Sequence, residues 1–173
     1  MPVTNWMLDI ETLGTGHTPR PLSIAFVRFN LKDGPNLRYH FHIDQTTAPG
    51  TVDADTALWW MRQDEAARMS ILEGQKRAVP FGEAAMAMHA MIDKEDRLWA
   101  RGIDWFWMES LYKAWGGTWP FKAKNVRCMR FCDQICPAPE ATVKHDALAD
   151  CLAQIEHLRR AVALVPGLEV VCA

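Results

Sequence analysis

Nowhere in the 173-residue chain do 18 apolar residues run together, and no basic segment followed by an apolar stretch stands at its start. Neither a membrane span nor a secretory signal is supported, and a cytoplasmic protein that does not engage membranes is the expectation. A disulfide framework is also missing. The five cysteines, Cys128, Cys132, Cys136, Cys151 and Cys172, form an odd set in a chain of ordinary size, so reduced thiols are expected. Cys128, Cys132 and Cys136 recur every four residues and would line one helix face, but zinc sites favour tighter pairs and four ligands. Charge of one sign is absent too: the net charge of −2 exerts no global pull on nucleic acid. With no repeat, low-complexity tract or interdomain linker, residues 1–173 read as a single domain. Its hydrophobic fraction of 49% suffices for a core of its own.

What is present is a sequence of alternating strand and helix signals. Residues 3–10, 22–30 and 38–44 read as strands, the second and third joined by a hairpin through Lys32-Asp33-Gly34. Asp53 or Asp55 is expected to cap a helix running through 57–61, and Asp64 another reaching residue 72. Residues 81–92 form an amphipathic, Met-rich helical pattern, and 97–101 a short fourth strand. An aromatic-rich helix over about 104–115 is terminated by Gly116-Gly117, and a last one over about 147–165 by Pro166-Gly167. The stripe Leu148, Leu152, Ile155, Leu158 and Val162 follows the helical period and leaves Asp150 off it, free to face a cleft.

Chemistry enters with Asp9 and Glu11. At positions i and i+2 of a strand the two carboxylates share a face, while Leu8 and Ile10 point the other way. Such a pair is the usual start of a two-metal phosphoryl-transfer site. A second acidic site with a nearby histidine, His145 and Asp150, lies near the other end of the chain. Between Ser110 and Cys132 five cations, Lys113, Lys122, Lys124, Arg127 and Arg130, occur without an acidic residue. Such a stretch suits a phosphate backbone, and equally a solvated cationic face.

Four segments carry a family resemblance: Asp9-Ile10-Glu11-Thr12-Leu13-Gly14, Asp55 to Gln63 with its Trp59-Trp60 pair, Trp99-Ala100-Arg101-Gly102, and His145-Asp146-Ala147-Leu148-Ala149-Asp150. In this order they resemble the DEDDh 3′→5′ exonucleases, in the branch of exodeoxyribonuclease VIII-like, phage exonuclease A-like and mycobacterial adenylate-specific exoribonuclease proteins. One departure matters. The family's second motif matched without a gap puts Phe106 where an aspartate belongs, whereas a two-residue deletion puts Asp104 there. Helical geometry favours Asp104, which shares a face with Met108, Leu111 and Trp115, while Phe106 points roughly 160 to 200° away. The alternative for Asp104 is a plain helix N-cap.

The resemblance implies an α/β, RNase H-like exonuclease fold with a mixed central sheet flanked by helices. It implies that Asp9, Glu11, Asp104 and Asp150 hold two Mg²⁺ or Mn²⁺ ions and that His145 is the general base, releasing nucleoside 5′-monophosphates from DNA or RNA 3′ ends. DNA is the leading expectation and RNA the runner-up. A noncatalytic nucleic-acid-binding module on the same fold is the reading if Phe106 replaces the aspartate. Thr12, Leu13, Trp59, Trp60, Gln63, Arg101, Arg127 and Arg130 are the candidate substrate contacts, Arg101 standing where the family has asparagine. One tryptophan ring could stack on a terminal base, or the pair could be buried. Relatives in this branch suggest a homodimer.

Overall fold

Alternation between two apolar faces organises the sheet. The computed structural model describes residues 4–165, 167 and 168. Strand β1 (Asn5–Thr12) lies antiparallel to β2 (Pro21–Asn30) and parallel to β4 (Arg97–Ala100). The hairpin expected after residue 30 leads into β3 (Gly34–His42), and β4 pairs in parallel with β5 (Val126–Cys128). The order β3-β2-β1-β4-β5 is a mixed sheet with β1 paired on both sides. Around it stand α1 (Ala54–Met61), α2 (Glu65–Gln75), α3 (Phe81–His89), α4 (Asp104–Trp115) and α5 (Ala147–Leu164).

Even-numbered side chains of β1, Trp6, Leu8 and Ile10, enter one core with Ile24 and Phe26, closed by Ala84, Ala85 and Met88 of α3 and Met108, Leu111 and Tyr112 of α4. Met7 enters the other, with Ala25, Val27 and Trp99, closed by Cys151, Ile155, Leu158 and Ala161 of α5. Each such buried large side chain contributes about 1.5–3 kcal/mol. The strand period therefore fixes which way Asp9 and Glu11 point: towards α5, on the Met7 side.

Several boundaries differ from the sequence reading. β1 extends to Thr12, so Glu11 lies inside the strand; Val3 falls outside the described residues. β3 begins at Gly34, whose φ of 86° only glycine adopts easily, and the turn before it is held by Asn30, whose side chain accepts the Asp33 N–H. Helix α4 spans the expected residues and ends at Gly116 in the left-handed conformation. Helix α5 ends at Leu164, and Pro166 lies outside the described residues. The three regularly spaced cysteines do not share a helix face. Cys128 ends β5, Cys132 lies in a 3-10 turn (Met129–Gln134), and Cys136 follows it, because the short edge strand interrupts any helix there.

Candidate active site

The C-terminal ends of β1 and β4 lie side by side, since Leu8 pairs with Ala100 in parallel register. Asp9 and Glu11 leave β1 just beyond that point. After β4 the chain turns through Gly102, at φ 91°, and enters α4 with Asp104 as its first residue. The Asp104 carboxylate is directed at this end of the sheet, where it repels Asp9 and Glu11. Phe106 is one-third exposed and meets the His17 ring edge-on at 4.9 Å. Asp150 arrives from the first turn of α5, which crosses the Met7 side of the sheet. The site thus draws on three elements, and the ligand atoms of Glu11, His145 and Asp150 lie within 4.8 Å of one another.

Burial and mutual repulsion dominate the electrostatics. Burial, then the charges of Asp104, Glu11 and Asp150, push the Asp9 carboxyl well above its ordinary range, against one hydrogen bond from Gln154. Burial, Asp150 and Asp104 push Glu11 up to about 8. Burial raises Asp104 to about 7 despite Arg130, and Asp150 is raised to about 6 although the His145 backbone N–H donates to it. Carboxyls whose proton affinity burial and repulsion raise are ionised when a cation replaces the lost solvation.

His145 occupies the residue before the N-cap of α5 with φ 59°, a left-handed conformation that costs a non-glycine residue energy. Its ring is held edge-on by Trp59 at 4.8 Å and Trp60 at 6.1 Å. Burial, and then the nearby Lys144 charge, lower its pKa. A neutral imidazole able to accept a proton therefore stands beside the carboxylates.

A cleft of about 420 Å³ opens next to Glu11, lined by Thr12, Asp55, Trp59, Trp60 and Trp107 among others. The two tryptophans of α1 differ. Trp60 is buried and its indole N–H donates to the Thr12 carbonyl at 2.8 Å, fixing the strand end, whereas Trp59 is 41% exposed. Gln63 donates to the Trp59 carbonyl and lines a depression beside His145. Leu13 turns away from the cleft to pack on Leu22, Trp60 and Ala67. Arg130 lies near Asp104, and Arg101 lines a smaller pocket with Asp150 while pairing with Asp133 at 2.8 Å. Arg127 is not brought to the site: its guanidinium folds back to the carbonyls of Lys124 and Val126, at the far end of β5.

The basic stretch does not form a phosphate track. Lys113 pairs with Glu109, and Lys122 and Lys124 both meet Glu95, so only Arg130 of the five bears on the carboxylates. Sequence reasoning missed two residues. Gln154 donates to Asp9 Oδ1 at 2.6 Å from one turn beyond Asp150; that i+4 spacing was the available signal. Asp146 accepts the Ala149 N–H as the N-cap of α5, and the Ser70 hydroxyl of α2. Its position ahead of an apolar-periodic run signalled the cap.

With this geometry in view, residues 4–162 match the family model described as the 3'-5' exoribonuclease Rv2179c-like domain. The chain belongs to this family. No curated protein sequence matches it. Among solved structures, Escherichia coli exonuclease I in complex with a dT13 oligonucleotide is similar over 98% of this chain and 43% of its own, at 16% identity and a TM-score of 0.71. Exonuclease I from Methylocaldum szegediense is similar over 96% of this chain and 42% of its own, at 15% identity and a TM-score of 0.68. Cell-death related nuclease 4 follows at 11% identity and 0.55, over 92% of this chain and 64% of its own. The likeness establishes an exonuclease-type RNase H-like fold, and the chain spans under half the length of either exonuclease I.

Proposed function

We propose that this domain is a divalent-metal 3′→5′ exonuclease that releases nucleoside 5′-monophosphates, with Asp9, Glu11, Asp104 and Asp150 as metal ligands and His145 as general base. The observation that carries this reading is the convergence of four carboxylates, Asp9 buried and the others half-buried, from β1, α4 and α5. Such an all-oxygen donor set fits Mg²⁺ or Mn²⁺, and offers a stability role only when cations sit in it. Two bound ions would supply Lewis-acid activation of a water and of the leaving 3′-oxygen.

The chain's own residues do the rest. His145, kept neutral by burial and Lys144, takes the proton of the attacking water. Trp59 and Trp60 hold its ring, and the backbone N–H of His145 on Asp150 ties the base to a metal-binding carboxylate. Trp59 offers an exposed face to a terminal base, and Trp60 braces Thr12 at the cleft wall. Arg130 offers a cation to a phosphate oxygen.

For the polymer we adopt RNA, supported by the description of the family, over the DNA that the motifs alone favoured. The test is nucleotide release from matched 3′-labelled single-stranded RNA and DNA, with Mg²⁺, Mn²⁺ or chelator. Metal-dependent mononucleotide release, faster from RNA and lost in Asp104→Ala, is expected. Binding without release in any metal would replace the enzyme by a noncatalytic binding module, and faster release from DNA would reverse the substrate.

A further inference from the structure

We propose that Gln154 is a positioning residue of the metal site: its amide N–H holds Asp9 while its carbonyl oxygen accepts a hydrogen bond from a metal-bound water. The inference rests on the reading of the four carboxylates as metal ligands. Gln154 follows Asp150 by one turn on α5, so both side chains look towards the end of β1. Its Nε2 donates to Asp9 Oδ1 at 2.6 Å across the interface between α5 and the sheet. Only 8% of Gln154 is exposed, and its Oε1 is buried with no hydrogen-bond partner among the described residues. A buried amide oxygen left unpaired loses its solvation without recompense, so a donor is required there.

The surroundings narrow what that donor is. Gln154 lines a pocket of about 130 Å³ with Asp150, Arg101 and His157, roomy enough for water. His157 Nε2 lies 2.8 Å from the Cys136 carbonyl, which can only accept, so Nε2 donates there and does not serve Gln154; its Nδ1, buried without a hydrogen bond, lies 3.9 Å from Asp133. Arg101, the cation of this pocket, is committed to both oxygens of Asp133 through one nitrogen. Gln154 Oε1 therefore lacks a donor, beside a carboxylate cluster that suits cations. A water polarised by a divalent ion is the strong donor that meets both needs. The amide orientation follows as well: reversed, Oε1 would face an Asp9 carboxylate that, as a metal ligand, has no proton to give. Outer groups of this kind orient ligating carboxylates and tune metal affinity.

Two measurements on the full chain test this without reading activity. Mn²⁺ titration followed by electron paramagnetic resonance compares wild type with Gln154→Met, which keeps an unbranched shape and loses both hydrogen bonds. The expected result is affinity weaker by about 10- to 100-fold, with unchanged melting in chelator. On wild type, the side-chain amide resonances of Gln154, assigned by their loss in a Gln154 variant, should shift when Mg²⁺ is added, as the carbonyl gains its donor. Equal Mn²⁺ affinity in the variant, or amide resonances indifferent to Mg²⁺, would overturn the proposal. Failure of the wild type to bind Mn²⁺ would instead sink the metal-nuclease reading on which it rests.

Discussion

At the scale of single residues, Asp104 and Phe106 separate an enzyme from a binding module. Asp104 is half-buried among carboxylates and raised to about 7, whereas Phe106 meets His17 edge-on at the surface. Asp104→Asn should retain the fold and lose most hydrolysis, while Phe106→Ala should cost little; the reverse pattern in single-turnover assays would restore the ungapped motif. His145 makes a second case. Its lowered pKa leaves the imidazole unprotonated at neutral pH, and with the proposed role of general base His145→Ala should reduce kcat by about 10²- to 10⁴-fold with a small change in KM. A kcat within a factor of two of wild type would remove it as the base.

Elements bring their own dependence, because α2 is tied to the start of α5 through Ser70 and Asp146, next to His145. Gly74 of α2 lies against β3 so closely that a Cβ would overlap the His42 ring. Gly74→Ala should therefore push α2 outward and destabilise by about 1–3 kcal/mol, read from urea midpoints. Asp146→Ala removes both the N-cap of α5 and the Ser70 link, with an expected cost of about 0.5–2 kcal/mol in the same measurement. Equal midpoints would mean that α5 starts without its cap. The elements themselves were legible where one period ran long enough: β1, β2, α4 and α5 appear within a few residues of their expected limits. β5 was not, since three residues carry no period and its neighbours fix it only in three dimensions. Capping was misread for a related reason. Asp53 and Asp64 stand at N-cap positions but make no side-chain cap, and the Asp53 carboxylate accepts the Thr15 N–H instead. A carboxylate's partner depends on which loop folds beside it, which local sequence does not state.

For the whole molecule, the site's carboxylates couple folding to protons and to metal. Unfolded, they titrate near pH 4, whereas in the fold Asp150 is raised to about 6, Asp104 to about 7 and Glu11 to about 8. Between those limits the folded state binds more protons than the unfolded one, so their contribution is fully present below pH 4 and is lost as pH rises towards 8. His40 and His42 oppose this, since burial lowers both, His42 to about 4, and folding then loses stability as acid protonates the unfolded histidines. That opposing effect lies below about pH 6.5, the ordinary histidine value. Above it the carboxylates prevail, and the buried Cys151 thiol, raised by burial, acts in the same direction. In chelator, the melting temperature should fall from pH 6.5 to 8, and saturating Mg²⁺ or Mn²⁺ should raise it by an amount that grows over the same interval, because each ion displaces protons that the metal-free site retains. The same acids that make the metal-free fold least stable at pH 8 would then make it bind metal best there. Calorimetric melts in both conditions check this, and a metal-induced shift independent of pH would mean that the ions do not enter among these carboxylates.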